Sequence, residues 1–144
     1  MPSDLSPRLA AVVEALPLRP GSRVLEIGCG PGAAARAIAR RLRTGHVLGI
    51  DRSAAAIDQA RAAAADLLAA GRLRFRRIAA EDFVLEDGDQ AFDVVLAVRV
   101  GALDGRHPEA GARVLRRLGA ATTPAARLFV DGGTPLRELP IPRP

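Results

Sequence analysis

The stretch Val24-Leu25-Glu26-Ile27-Gly28-Cys29-Gly30-Pro31-Gly32 decides the fold that we predict for this chain. A short apolar run stops at a glycine-dense turn, and an alanine-rich run that favours a helix follows directly. This order is typical of the strand–turn–helix unit of nucleotide-binding α/β folds. Gly28 and Gly30 permit backbone angles that other residues disfavour, and they let a ligand lie against the main chain.

The same turn carries a family resemblance. The four defined positions of the pattern E-x-G-x-G-x-G are filled by Glu26, Gly28, Gly30 and Gly32. The segment resembles motif I of the class I S-adenosylmethionine-dependent methyltransferases. The resemblance implies that the cofactor is S-adenosyl-L-methionine, that Glu26 lies near its positively charged methionyl end, and that Cys29 is a further cofactor contact. Because Gly28, Gly30 and Ala33 also satisfy the looser G-x-G-x-x-G/A pattern of dinucleotide-binding folds, the glycines alone do not choose the cofactor. Glu26 favours the methyltransferase interpretation, since a carboxylate would repel a pyrophosphate.

Apolar periodicity along the rest of the chain predicts alternating helices and strands. The predicted helices cover residues 5–16, 33–42, 54–70 and 108–118, and the predicted strands cover residues 23–27, 46–50, 72–78, 92–100 and 126–130. With the resemblance, this order predicts an α/β fold: an open, mostly parallel Rossmann-like sheet of strand order 3-2-1-4-5 with helices on both faces. We expect one domain over residues 1–144, with an N-terminal helical segment (1–20), a core (21–133) and a proline-rich tail (134–144).

The tail is expected to contain no strands, because proline cannot donate to a sheet ladder. Its prolines are Pro135, Pro140, Pro142 and Pro144. Complete members of the family continue into two further strands, so the resemblance implies a truncated class I methyltransferase that ends after strand five. That strand would lie near an exposed edge. We therefore predict a homodimer through the strand-five edge or the tail.

Two acidic segments follow predicted strands two and three. Asp51 lies 19 residues beyond Gly32, close to the roughly 20 expected for a ribose-binding acid. Its alternative role is to cap the next helix, which Ser53 can do instead. Arg52 either stacks along the adenine or is a solvated charge. The segment 80–83 resembles the family's adenine-binding segment; Asp82 is the preferred amine contact and Glu81 the reserve, with a solvated acidic loop as the alternative.

The run Phe92-Asp93-Val94-Val95 resembles motif IV in its F-D-x-V form. Ligands of open α/β sheets bind beyond the carboxyl ends of the strands, so residues from Ala97 to Arg99 should lie beside the sulfonium and the methyl acceptor. Arg99 either orients an acidic substrate by paired hydrogen bonds or points to solvent. His107, in the following loop, is the candidate general base or a surface residue that caps a helix. His46 starts strand two, at the wrong end of the sheet, and is expected to be structural.

Composition excludes several classes of protein. The net charge is +5, and the chain contains arginine but no lysine. Residues 72–78 alternate apolar and charged side chains as an edge strand does, so nucleic-acid binding is not expected.

One cysteine excludes an internal disulfide and a cysteine-based zinc site, and we predict no metal site. No apolar run is long enough to span a bilayer, and residues 1–4 lack the start of a signal peptide. We expect a cytoplasmic protein.

The expected reaction is in-line transfer of a methyl group from S-adenosyl-L-methionine to an oxygen or nitrogen nucleophile of a small molecule. No motif identifies the acceptor. Two alternatives stay open: a catalytically silent scaffold or regulatory subunit that binds the same cofactor, and an NAD(P)-binding oxidoreductase, which Glu26 disfavours.

Overall fold

The sheet of this protein has six strands in the order β3-β2-β1-β4-β5-β6. The computed structural model describes residues 5–143, so the predictions made for residues 1–4 and 144 lie outside it. The strands are β1 (Arg23–Ile27), β2 (His46–Asp51), β3 (Leu73–Arg77), β4 (Phe92–Ala97), β5 (Thr122–Asp131) and β6 (Leu136–Leu139). The first five are parallel, and β6 pairs antiparallel with β5.

The helices are α1 (Pro7–Ala15), α2 (Ala33–Arg41), α3 (Ala54–Ala63), α4 (Ala65–Ala69) and α5 (Pro108–Ala121). They cover both faces of the sheet, because neighbouring residues of the central strands belong to different cores. Val24 packs into a cluster with α1, α2 and α3, whereas Leu25 packs into a cluster with α5. Burial on both faces explains why these strands are continuous apolar runs. The predicted open α/β sheet is confirmed.

The prediction that the tail contains no strand is wrong. Residues 136–139 form β6, which extends the predicted order of five strands to six. Prolines flank this segment at 135 and 140 without interrupting it, and Arg127 of β5 pairs with Glu138 at 2.7 Å. Because β6 occupies the edge of β5, that edge is not free for a homodimer, and dimerisation through the tail stays a prediction.

The long helix predicted over residues 54–70 is also wrong in detail. The chain breaks at Ala64, whose φ of −121° separates α3 from α4. An unbroken series of alanines carries no side-chain signal for such a break, so periodicity could not locate it. The prediction of an exposed edge at β3 is confirmed by the strand order. Within residues 5–143, no helix is long and apolar enough to cross a membrane.

Candidate functional site

The glycine turn lies at the carboxyl end of β1 and is fixed to the end of β2. The amide of Cys29 donates to the carbonyl of Ile50 at 2.9 Å, and the amide of Gly30 donates to Oδ2 of Asp51 at 2.9 Å. Asp51 therefore holds the turn in place, a role that its position in the sequence did not indicate.

Two glycines of this turn have different physical roles. Both have positive φ, +54° at Gly30 and +86° at Gly32. A Cβ added to Gly30 would meet nothing within 4 Å, whereas one added to Gly32 would lie 2.9 Å from Cζ of Phe75. The same phenyl ring would lie 2.8 Å from a Cβ added to Gly49 of β2. Gly30 thus leaves open space above the backbone, and Gly32 makes room for the packing of Phe75.

Two adjoining cavities open around the turn. The larger has a volume of about 660 Å³ and is bounded by the ends of β2, β3 and β4. The smaller, of about 330 Å³, lies between α1 and the turn. Gly28 and Arg99 line both cavities. The site is therefore a two-lobed cleft whose lobes meet at the carboxyl ends of β1 and β4.

The sequence-predicted residues divide between these lobes. The larger cavity is lined by Asp51, Arg52, Glu81 and His107, and the smaller by Glu26, Cys29 and Gly30. Ala97 and Gly32 line neither; Ala97 is buried in the sheet beside Ile27. The structure thus brings together most of the residues that the motifs indicated.

Glu26 is a buried carboxyl group, one oxygen of which has no hydrogen-bond partner among residues 5–143. Its side chain lies in the wall of the smaller cavity, the residue is only 4% exposed, and Oε1 accepts no hydrogen bond from the described residues. Burial raises the pKa of Glu26 to about 8; hydrogen bonding from the Ala35 backbone opposes this, and the nearby charge of Asp51 adds to it. A buried polar atom without a partner is costly, and a cationic ligand group would remove that cost.

Cys29 lies beside Glu26 but is not suited to be a nucleophile. Burial raises the pKa of its thiol, and the charges of Glu26 and Asp51 raise it further. The reactive form of cysteine is the thiolate. Cys29 therefore contributes a small apolar surface to the cavity.

Each carboxylate oxygen of Asp51 accepts one hydrogen bond and has room for another. Oδ1 accepts from the amide of Ser53 at 2.9 Å, and Oδ2 accepts from Gly30. Each carboxylate oxygen can accept a second hydrogen bond. Ser53 itself caps α3 by accepting from the amide of Ala56. The capping role considered for Asp51 is thus filled by Ser53, and Asp51 stays available to a ligand.

Arg99 has the only positive φ, +58°, among the non-glycine residues that the structure describes. Its amide donates to Oδ1 of Asp131 at the end of β5 at 3.0 Å, and Oδ2 of Asp131 pairs with Arg8 of α1 at 3.0 Å. This cluster joins the ends of β4 and β5 to the helix that lines the smaller cavity. Neither Arg8 nor Asp131 was singled out by sequence reasoning, since the pair is separated by most of the chain.

The side chains of Glu81 and Asp82 lie in different surroundings. Glu81 lines the larger cavity, whereas Asp82 does not, and its exposed carboxylate lies 3.4 Å from the guanidinium of Arg113. The preference for Asp82 as a ligand contact is therefore not supported by its position, and the reserve residue Glu81 is the better candidate. His46 lies at the start of β2, away from the cleft, with Nδ1 3.0 Å from the carbonyl of Gly71.

A profile of the family described as "Methyltransferase domain" matches residues 24–124, which include the glycine turn, Asp51 and the whole of β4. The chain belongs to this methyltransferase family. The resemblance inferred from Glu26 and the glycines is confirmed, and the methyltransferase fold accounts for a cleft at the carboxyl ends of β1, β2 and β4.

Named relatives are similar to parts of this methyltransferase domain. The ubiquinone biosynthesis O-methyltransferase of Aeromonas salmonicida is 32% identical over 111 residues, which cover 77% of this chain and 43% of that protein. The protein-L-isoaspartate O-methyltransferase of Methylorubrum populi is 47% identical over 66 residues, covering 46% of this chain and 30% of that protein. The chain therefore spans less than half the length of these curated relatives.

A solved structure resembles the methyltransferase domain over most of its length. It is a SAM-dependent methyltransferase from Thiobacillus denitrificans in complex with S-adenosyl-L-homocysteine, with a TM-score of 0.68 and 28% identity. The match covers 88% of this chain and 48% of that one. Within the part of the chain that the structure describes, no group of three or more His, Cys, Asp or Glu side chains is placed to hold a metal ion.

Proposed function

We propose that this domain is an S-adenosyl-L-methionine-dependent methyltransferase that methylates an oxygen or nitrogen nucleophile of a small molecule. The observation that carries the proposal is Glu26, a buried carboxyl group in the wall of the smaller cavity, one oxygen of which has no partner among the described residues. Membership of the methyltransferase family supports it, as does the solved relative that binds S-adenosyl-L-homocysteine.

The residues present fit this cofactor in both lobes of the cleft. Glu26 would bind the amino group of the methionyl part, and Asp51 would accept hydrogen bonds from the ribose hydroxyls. Gly30 leaves the backbone open to a ligand, since apart from Gly30 and its two chain neighbours no described residue has an atom within 4 Å of the position where a Cβ would stand. A pyrophosphate would instead meet the carboxyl group of Glu26, which disfavours the NAD(P) alternative.

When bound, S-adenosyl-L-methionine supplies an electrophilic methyl group on a positively charged sulfur. The leaving sulfide is neutral, so the protein needs no acid to protonate it. The main task of the residues is to orient the reactants and exclude water, and positioning alone can supply about 7–11 kcal/mol. In this role α1 covers the smaller cavity, held at Arg8 by the carboxylate of Asp131.

His107 and Arg99 are the proposed groups on the acceptor side. His107 precedes α5, lines the larger cavity and makes no capping hydrogen bond with its side chain. Its imidazole would accept the proton of a hydroxyl acceptor as general base. Arg99 would orient the acceptor from the junction of the two lobes.

Titration calorimetry with S-adenosyl-L-homocysteine and with NAD(P) tests the cofactor assignment. We expect binding of the first and not the second. Asp51→Ala should weaken the binding of S-adenosyl-L-homocysteine by about 1–3 kcal/mol, the usual contribution of a charged hydrogen-bonding group. Asp58→Ala, which removes an exposed carboxylate of α3, is the matched control and should leave affinity unchanged. Equal affinities for both variants would remove Asp51 from the site.

Methyl transfer itself requires a separate measurement. Incubation of the domain with isotopically labelled S-adenosyl-L-methionine and a panel of small hydroxyl and amine compounds should yield a labelled product with at least one of them. Tight cofactor binding with no product on any compound would favour the silent scaffold instead. The expected partners are small molecules; a nucleic acid or membrane partner is not part of the proposal.

A further inference from the structure

The charged residues of the larger cavity are separated into two walls. Asp51 and Glu81 follow β2 and β3, and Arg52 lines the cavity next to Asp51, so this wall carries both signs of charge. The other wall is formed by residues 99–110, which contribute Arg99, Arg106 and His107 but no acidic lining residue. The wall beyond β4 is therefore cationic, and it is the wall next to the junction with the smaller cavity.

Arg106 is held by its neighbour and keeps part of its guanidinium available. Its Nε donates to Oδ2 of Asp104 at 2.6 Å, and its amide donates to Oδ1 of the same residue at 3.0 Å. A Cβ at Gly101 would lie 3.2 Å from Nη2 of Arg106, so this nitrogen lies against the loop that follows β4. Asp104 does not line the cavity. Asp104 therefore positions Arg106 and offsets part of its positive charge.

Arg99 lines the same wall, and its backbone adopts the left-handed conformation, which is energetically unfavourable. A left-handed conformation is unfavourable for a non-glycine residue, and such residues concentrate at functional sites. Asp131 stabilises this conformation by accepting the Arg99 amide. The Arg99 guanidinium makes no hydrogen bond or ion pair with another residue between 5 and 143.

We infer that the methyl acceptor carries an anionic group, a carboxylate or a phosphate, which Arg99 and Arg106 bind together at the wall beyond β4. The inference rests on the proposed methyl transfer and specifies its substrate class. An anion bound by both guanidinium groups would offset their positive charge. Guanidinium groups also match carboxylate and phosphate oxygens by paired hydrogen bonds.

The test uses the chain loaded with S-adenosyl-L-homocysteine and three small probes: benzoate, phenyl phosphate and neutral benzamide. Binding is followed by calorimetry in the unmodified chain, Arg99→Gln, Arg106→Gln and Arg113→Gln. We expect at least one anionic probe to bind about tenfold more tightly than benzamide. Arg99→Gln and Arg106→Gln should each lose that preference. Arg113→Gln is the matched control, because Arg113 pairs with Asp82 outside the cavity and should keep it.

Each outcome has one meaning. A chain that binds S-adenosyl-L-homocysteine but binds benzamide as tightly as both anions overturns the anionic acceptor alone. The same holds when either Arg99→Gln or Arg106→Gln retains the preference. Failure to bind S-adenosyl-L-homocysteine, measured before any probe is added, removes the proposed function and this inference with it. Unchanged circular dichroism and thermal unfolding show that the two variants are folded.

Discussion

Two shielded carboxyl groups lie at opposite ends of the sheet in contrasting surroundings. Glu26 lies at the carboxyl end of β1, where burial raises its pKa to about 8 and Oε1 has no partner in the described part of the chain. Asp89 lies near the amino end of the sheet, just before β4. Burial disfavours its charge too, but hydrogen bonds from the Glu86 amide and from Arg76 and Arg74 outweigh burial and lower its pKa to about 2.

The difference separates a structural acid from the acid that we propose binds the cofactor. The Asp89 side chain is 4% exposed, and both of its oxygens accept hydrogen bonds from arginines of β3 at 2.9 Å. All of the hydrogen-bond donors around Asp89 belong to the chain, so this carboxylate does not need a ligand to complete its hydrogen bonds. Glu26 faces a cavity instead of arginines, and no residue between 5 and 143 donates a hydrogen bond to its Oε1.

Replacing Glu26 with Gln should give the largest effects. In the folded chain Glu26 keeps a proton that the unfolded chain loses, because burial raises its pKa from 4.5 to about 8. The stability associated with that proton is fully present below pH 4.5 and is lost as the pH rises to about 8. Across this window Glu26→Gln should gain on the order of 4 kcal/mol in unfolding free energy relative to the unmodified chain. Urea unfolding at pH 5 and pH 8 measures the gain.

The same variant should bind S-adenosyl-L-homocysteine roughly tenfold to a hundredfold more weakly, because a charged partner for the ligand's amino group is lost. Near pH 7 the unmodified chain should release a proton on binding, and Glu26→Gln should not. Calorimetry in two buffers of different ionisation enthalpy detects the difference. Glu14→Gln, on the exposed face of α1, is the control. A loss of stability in Glu26→Gln at pH 8 would mean that the carboxyl group is ionised and paired, which would end the contrast with Asp89.

Three glycine substitutions extend the comparison to the turn itself. Gly32→Ala combines a positive φ with a Cβ 2.9 Å from Phe75, and should cost about 2–4 kcal/mol of stability. Gly30→Ala and Gly71→Ala, which have open space around the added carbon, should each cost only about 1–2 kcal/mol. Of these two, only Gly30→Ala should lower the affinity for S-adenosyl-L-homocysteine. Equal losses of affinity at residues 30 and 71 would refute the division of roles.

Asp89→Asn should lose about 2 kcal/mol of stability at pH 7, because the lowered pKa of Asp89 stabilises the fold. That contribution is present above the ordinary pKa of 3.8 and is lost as the pH falls towards 2. The unmodified chain and the variant should therefore converge in acid unfolding experiments. The affinity for S-adenosyl-L-homocysteine should stay unchanged, and a loss would show that this network supports the cleft.

Arg8→Ala should have the smallest effect, a loss of less than about 1 kcal/mol, because the Arg8 side chain is 59% exposed in its pair with Asp131. Asp131→Ala should cost more, since it also removes the acceptor of the Arg99 amide. Thermal unfolding of both variants measures the two losses. Equal losses would mean that the Arg99 backbone does not depend on Asp131.

The sequence predicted the parts of the fold that depend on local pattern. The buried runs of β1, β2 and β4 are continuous and apolar, and the glycine turn and Asp51 stand at fixed distances from them. Together with the family resemblance, these patterns predicted the order of the first five strands. β6 was missed because Pro135 and Pro140 suggested an irregular tail, although a four-residue edge strand fits between them.

The missed features of the site depend on contacts between distant segments. The pairing of Arg8 with Asp131 joins residues 123 positions apart, and no periodic pattern indicates it. Gly32 satisfies a cofactor motif, but its neighbour in space is Phe75 of β3, a contact that the motif does not describe. The Asp82 carboxylate lies outside the cavity, where it pairs with Arg113 of α5. This contact also joins distant segments and has no pattern in the sequence.

Phe75 connects β3, the parallel strand at the edge of the sheet, to the proposed ligand site, although β3 itself does not line the cleft. Its ring lies against Gly49 of β2 and Gly32 of the turn, and so connects the edge strand to the glycine turn. Fraying of β3 at the solvent boundary would withdraw that ring and leave the turn unsupported. Hydrogen exchange in β3 should consequently slow when the cleft is filled, although no β3 residue lines it.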